Sequence, residues 1–529
     1  MRFRTPMWGA IVVCLSALAS AGESLAATIA VPAGGDLQAA LNAAQPGDVI
    51  TLAPGAVYTG NFTLPDKGVS DLFITLRSAA PDSALPPAGV RITPAYAAQL
   101  PKIQSATSVS ALRTKNYAHH WRLMFLEFRA NLSGYGDIIQ LGSGDTSQYD
   151  LTQVAHDLIV DRVYVHGDPV MGQKRGIALN SRDTQVLNSY IADIKAVGQD
   201  AQALGGYNGP GNYLIENNYL EGAGENFLIG GADPPIPNLI TTNITFRGNY
   251  VRKPLEWRDP IIATPQNITA VAAVGSGTLG AGTYAYKVVA RVPAGQTTKA
   301  NSIASAEVLA TIAAGMTGGV TISWTPVAGA TEYWVYGRIS GSTNQYWKTT
   351  NAYFTDSGAA GTAGTPSGST KWTVKNLFEL KNAQDVLVEG NVFENSWVAD
   401  QPGYPIVITP RNQSGTAPWS VVQRVTLQLN LIRHTAGGVN ILGTDNLHPS
   451  QLTNNITIRD NVWDDMGSMW GSGAKTFQMG DGGDRFTFDH NTIDSTDSSL
   501  VAPYGGSATS PTPPTNRTWF FGTDATATT

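Results

Sequence analysis

Short runs of alternating hydrophobic and polar residues recur along the chain, each soon broken by Gly, Asn or Pro. One pattern returns: hydrophobic, polar, any residue, Asn, hydrophobic, hydrophobic. It reads Ile215-Glu216-Asn217-Asn218-Tyr219-Leu220, then Phe246-Arg247-Gly248-Asn249-Tyr250-Val251. It returns at Val388–Phe393, Leu427–Ile432, Ile458–Trp463 and Phe488–Ile493, with Asn391, Asn430, Asn461 and Asn491 at the key position. Weaker copies at Val160–Val165 and Val186–Ile191 are read with Arg162 and Ser189 there. Successive spacings are 27, 29, 31, 142, 39, 31 and 30 residues. A period of 20–50 residues marks a solenoid or propeller. Each unit holds two or three short β-rich runs and little helical periodicity, too few for a four-stranded blade. The pattern predicts an all-β chain folded as a parallel β-helix. The repeated Asn is expected to be structural, stacking inward at a bend where its amide satisfies backbone groups the turn leaves unpaired.

The start fits the same architecture. Gly35 to Ala44 predicts a short amphipathic helix with Asp36 as N-cap, followed by a turn at Pro46-Gly47-Asp48 and a strand at Val49–Leu52. Such a helix covers the open end of a solenoid.

The 142-residue interval is longer than one coil by roughly 105 residues. The surplus falls in 264–370. Tyr284–Val289, Thr321–Val327 and Ala330–Tyr336 alternate as strands, and Trp324 sits where a sandwich core takes a tryptophan. These runs resemble a fibronectin type III module, a β-sandwich of about 100 residues. Gly358 to Thr370 predicts a flexible exit. The expected organisation is a signal segment over 1–27, a first solenoid part over 28–263, the insert over 264–370 and a second solenoid part over 371–529. Near the end, Thr518–Phe521 looks like the start of another strand.

Composition sharpens this picture. Gly (56) and Pro (30) are frequent among 529 residues, as a turn-rich β protein requires, and only 14% of residues are charged, which disfavours long solvated helices. A net charge of -6 supplies no basic footprint for nucleic acid. Arg2 and Arg4, the apolar run Gly9–Ala19 and the small residues after it read as a secretory signal, so a secreted or periplasmic protein is expected. The one Cys, Cys14, lies in that run, and a mature chain without it has no disulfide, zinc-thiolate site or Cys nucleophile. No later stretch is long and apolar enough to span a membrane.

Neither HExxH nor GxSxG occurs, and the glycine pairs Gly205-Gly206 and Gly230-Gly231 lack a phosphate-cradling context. His119 and His120 are neighbours on a strand and are expected to point to opposite faces, which disfavours a zinc site. Two regions hold more polar residues than a solenoid needs. One runs from Gln199-Asp200 through Glu221, Glu225 and Asn226 to Asp233. The other joins Glu379, Lys381 and Asn382 to Arg411, Asn412 and Gln413. Phe227–Gly231, Phe378–Lys381, Ile406–Thr409, Val439–Leu442 and Phe477–Gly480 each precede an Asn-bearing strand, so they are expected to stack in one sheet. Lys381 and Arg411 then end neighbouring rungs, about 5 Å apart in backbone.

This order resembles the family 6 polysaccharide lyases, of the chondroitinase B and alginate lyase type, which are right-handed, pectate lyase-like parallel β-helices. The resemblance implies Lys381 as the base of a β-elimination beside a uronate carboxylate. It implies Arg411 as the cation that neutralises the acid group and assists the leaving oxygen. A base near its working pKa and a cation on the carboxylate suit that chemistry. Glu379, Asn382, Asn412, Gln413, Glu225, Asn226 and Asp233 are the expected substrate contacts, and the partner is a polysaccharide, anionic under this reading. Calcium is implied by the family, but Val374 and Asn376 stand at the offsets of its acidic ligands, and Arg411 comes two residues later than in the family pattern. A glycoside hydrolase on this fold would use a carboxylate pair from Asp200, Glu221, Glu225 and Asp233. A non-catalytic adhesin would use Trp257, Trp397, Trp419 and Tyr404 as stacking platforms.

Overall fold

A computed structural model describes residues 26–169, 171–258, 263–292, 300–366, 372–467, 470–471, 475–495, 501–503 and 520–521. The expected signal segment, up to residue 25, lies outside them, as does most of the Pro- and Thr-rich tail. No helix among the described residues is long and apolar enough to cross a membrane.

One coil shows the plan. Gly211–Glu216 runs into the Asn turn, Tyr219–Gly222 and Glu225–Ile229 follow, and the chain returns at Thr241–Arg247 beside its own start. Repeated, this builds three parallel sheets, which among the described residues hold 13 strands in sheet 1 (that of Gly211–Glu216) and 11 each in sheet 2 (that of Tyr219–Gly222) and sheet 3 (that of Glu225–Ile229). The protein is a parallel β-helix. Inward positions form one continuous apolar interior, with Trp121, Phe128, Phe246, Phe393 and Trp463 fully buried. Helix Leu37–Ala43 closes the first coil, and the Asp36 carboxylate accepts from Ala39 N at 2.9 Å as the sequence predicts.

The Asn repeat is a hydrogen-bonded ladder. Each ladder oxygen accepts both the backbone N–H and the side-chain amide of the preceding Asn: Asn218 onto Asn249, Asn249 onto Asn391, Asn391 onto Asn430, Asn430 onto Asn461 and Asn461 onto Asn491, at 2.9–3.2 Å. Each amide nitrogen also donates to a backbone carbonyl of the strand one coil earlier, as Asn430 does to Val388 O at 3.0 Å. At the weak early copies the register differs from expectation. Asp161 pairs with Leu187 and Tyr164 with Tyr190, so Val163 and not Arg162 shares the rung of Ser189. Arg162 takes the preceding left-handed position (φ 51°), where Asn188 and Asn217 also sit. The pattern slips by one there because Val163 has no amide to mark the rung.

A second left-handed stripe runs inside sheet 1. His120, Asp157, Asp183, Asn212, Asn243, Asp385, Arg424, Asn455 and Arg485 all have φ between 49° and 56°. The ladder pairing skips each of them without a shift in register. This corrects the expectation for His119 and His120. The left-handed residue breaks the alternation, and their Nδ1 atoms meet at 2.6 Å, with the His156 ring stacked on His119 at 4.9 Å.

Between Tyr250–Arg252 and Phe378–Leu380 the chain leaves the coil. Among the described residues it forms antiparallel strands in sheets of three and six around a separate core of Tyr286, Val288, Val320, Ile322, Tyr333 and Val335. Trp324 packs on Tyr333 at 5.1 Å. The coil then resumes as if uninterrupted, with Phe378 stacked on Phe227 at 5.1 Å.

The ladder predicts a position-dependent cost. Asn430→Ala removes a rung with neighbours on both sides and leaves buried backbone groups unpaired, a loss on the order of 3 kcal/mol. Asn491→Ala, at the last rung among the described residues and only half-buried, should cost clearly less. Urea unfolding midpoints of the two variants check the order, and equal midpoints would contradict it.

Candidate functional site

The expected stacking of sheet 3 holds: Phe227, Phe378, Ile406, Val439 and Phe477 share one register line. Alternation buries Phe378 and Leu380 in the coil interior and turns Glu379 and Lys381 to the outer face. Gly230 lies beside Lys381 on the preceding rung. A Cβ there would fall 2.7 Å from Asn382 N and 2.8 Å from Lys381 Cβ, and φ is +91°, so glycine is needed for this approach.

Lys381 and Arg411 end adjacent rungs, with Arg411 N donating to Lys381 O at 2.9 Å. Lys381 Nζ donates to Thr409 Oγ1 at 2.9 Å and is ion-paired with Glu379. Its nearest charged partner is therefore a carboxylate on its own strand. The Arg411 guanidinium turns to the next coil, where Nη1 meets Asp445 Oδ1 at 2.8 Å and Asn446 Oδ1 at 3.2 Å. Both cationic side chains keep some exposure, 17% for Lys381 and 15% for Arg411, so a ligand can reach them.

The loop that carries Arg411 is held from two sides. The fully buried Asp445 carboxylate accepts Asn412 N at 2.7 Å and Leu447 N at 2.9 Å as well as Arg411. Asp233, from the coil before the insert, accepts Ser414 N, Thr416 N and Thr416 Oγ1 on one oxygen at 2.6–3.1 Å. Burial pushes the Asp233 carboxyl up, but these hydrogen bonds prevail and hold it below its ordinary value. Five residues expected at the substrate are buried: Glu225, Glu379 and three asparagines whose amide groups are held by protein. Asn226 donates to Leu220 O and Arg252 O, Asn382 to Leu239 O, and Asn412 to Pro449 O. Gln413, at the loop tip, is exposed.

At the opposite edge of sheet 3, four rungs carry a polar chain. Asp137 accepts Arg175 Nη1 at 3.1 Å, Gln202 Oε1 accepts Arg175 Nη2 at 2.8 Å, and Gln202 Nε2 donates to Glu225 at 2.8 Å. Lys375 bridges to Asp200 at 2.6 Å nearby. Burial first, then the neighbouring Glu379 and Asp200 charges, push the Glu225 carboxyl up. So Asp200, Glu225 and Glu379 form one acidic cluster. Glu221 belongs elsewhere: it is buried on sheet 2, bonded by the Tyr219 hydroxyl and by Asp193 N at 3.2 Å, and burial raises its carboxyl too.

Two anchoring residues escape the sequence reading. Asp445 lies outside both polar regions. Lys253 is fully buried, and its Nζ donates to Gly222 O, Ala223 O, Gly224 O and Asn226 Oδ1 at 2.5–3.2 Å. Burial lowers the pKa of its ammonium. It ties down the turn that delivers Glu225, and nothing in Val251-Arg252-Lys253 distinguishes it from a surface cation. The stacking platforms need correction. Trp257, Trp397 and Tyr404 are buried with Trp470 and Val407 in an apolar cluster separate from the main core, and Trp419 donates to Leu239 O at 3.0 Å. Of the two offsets where the resemblance implies calcium ligands, Val374 has no side-chain ligand atom and is buried in that cluster, whereas Asn376 donates Nδ2 to Glu379 and Gln401 and keeps a buried Oδ1 without a hydrogen bond.

No family model matches the chain, and no characterised protein matches it by sequence. Solved structures align with it at low identity. An alginate lyase from Paenibacillus sp. str. FPU-7 is 12% identical over 91% of this chain and 98% of its own, with a TM-score of 0.36. A mannuronic acid specific polysaccharide family 6 lyase from human gut microbiota is 12% identical over 89% and 87%, with a TM-score of 0.36. A lacto-N-biosidase from Eubacterium ramulus is 11% identical over 91% and 67%, with a TM-score of 0.37.

The raised Glu225 carboxyl has a measurable sign. The folded state keeps this proton above pH 4.5, where the unfolded chain has lost it. The associated stability is present at low pH and declines as pH rises through the folded value. Glu225→Gln should flatten that decline, which thermal unfolding from pH 4 to 9 reads directly. An unchanged profile would remove Glu225 as its source.

Proposed function

We propose that the chain is a secreted polysaccharide-active enzyme that cleaves uronic-acid-containing polysaccharide by β-elimination. The observation that carries this reading is the pairing of Lys381 and Arg411 at the ends of adjacent sheet 3 rungs, both reachable from solvent. In this reading Lys381 first passes a proton to its paired Glu379, and its neutral Nζ then takes the proton on the carbon beside the uronate carboxylate. The electron pair left behind forms a double bond to the next ring carbon, and the glycosidic oxygen leaves. Arg411 neutralises the carboxylate, which stabilises the carbanion-like transition state. Glu379 and Thr409 fix the base, and Asp445 and Asp233 fix the loop that presents Arg411. The insert, over 264–370, is read as a fibronectin type III-like accessory between the two solenoid parts.

A second reading has its own support. A buried carboxyl that keeps its proton, beside Glu379 and Asp200, is the arrangement a glycosidic general acid needs. In that case Glu225 donates the proton to the leaving oxygen.

The two readings part in one assay. The protein is incubated with a uronic-acid polymer panel, and absorbance near 232 nm and new reducing ends are followed together. Elimination raises both, and Lys381→Ala should lower the rate by at least about 10³-fold with folding intact. Reducing ends without absorbance, abolished by Glu225→Gln and not by Lys381→Ala, would replace the lyase with the hydrolase.

A further inference from the structure

We infer that the outer face of sheet 1 holds a second glycan site, one that takes an uncharged, hydroxyl-rich sugar chain lying along the solenoid axis. A groove of about 660 Å³ opens there, on a different sheet from Lys381 and Arg411. It follows the left-handed stripe, whose residues line it over six successive rungs: Asp157, Asp183, Asn212, Asn243, Asp385 and Arg424. With rungs about 4.8 Å apart, that stretch runs about 24 Å, long enough for an oligosaccharide and far longer than a single sugar.

The lining suits sugar hydroxyls. Acceptor carboxylates, amides with both donor and acceptor atoms, and the hydroxyls of Thr245 and Thr426 recur along the groove. Leu214 and Leu387 give its floor two apolar spots for the C–H faces of the rings. Part of the polar set is already used. Arg424 is held on Asp385 at 2.6 and 2.8 Å, and Asn212 donates to Asp183 at 2.6 Å. Those pairs fix the walls, while Asn243 and Thr245 lie at mid-groove in the coil directly before the insert. Charge selects the ligand. Three aspartates line the groove with Arg424, and Arg182 meets Asp183 at 3.6 Å, so the groove keeps a net negative charge and disfavours a polyuronate. A neutral glycan meets no such penalty. The site is independent of the elimination chemistry and would stand if that reading failed.

Affinity electrophoresis of the full chain tests this. The gels contain a β-glucan, a galactomannan, a xylan or polygalacturonate, each against a polymer-free gel. The comparison variant is Asn243→Gly with Thr245→Ala, which keeps the left-handed backbone and leaves sheet 3 untouched. The expected result is retardation by at least one neutral polymer, weakened about tenfold or more in the variant, with the 232 nm assay unchanged. Retardation by no neutral polymer would overturn the inference, as would equal retardation of both proteins. A variant that loses only polygalacturonate binding would overturn the charge argument.

Discussion

Every other feature of this protein depends on a single repeated contact, the amide of one asparagine bonded to the next. A coil that turns sharply leaves backbone N–H and C=O groups facing an apolar interior, where unpaired polar groups are costly. Each ladder Asn satisfies a carbonyl and an N–H of the coil before it through one side chain, as Asn430 does with Val388 O and Asn391 N. Because each bond reaches to the next coil, the ladder also fixes register between coils. That register sets which residues share a rung, and so puts Lys381 beside Thr409 and Arg411.

The candidate site is correspondingly a product of stacking more than of sequence proximity. Glu225 and Asp233 precede the insert, whereas Glu379, Lys381, Arg411 and Asp445 follow it. The acidic cluster and the clamped Arg411 loop form only because the coil resumes in register after a long detour. Charge is sparse over the whole chain, and this face carries four ion pairs: Arg175 with Asp137, Lys375 with Asp200, Lys381 with Glu379 and Arg411 with Asp445.

Much of the fold is readable in the sequence because Asn218, Asn249 and their successors recur with flanking hydrophobics. Periodicity reveals the ladder, the capping helix and the excess length of one interval. What the pattern does not reveal is whatever depends on backbone hand or on contacts between coils. Arg162 reads as a ladder position because Val163 carries no polar signal. His119 and His120 read as opposed because alternation assumes a regular strand, and a left-handed residue breaks it. The tryptophans read as platforms because burial against an outer loop leaves no periodic mark. Lys253 and Asp445 are invisible for a different reason: each matters through carbonyls or amides of other coils, which a linear reading does not bring together.

The insert also bears on how the chain folds. Asn249 and Asn391 are adjacent rungs separated by 142 residues, so the solenoid must close one long loop midway. The entropic cost of closure grows with the length of flexible chain between the ends. An insert with its own buried core can fold first and turn most of that loop into a rigid body. It then acts as a clip, and the second half of the solenoid can be templated by the first.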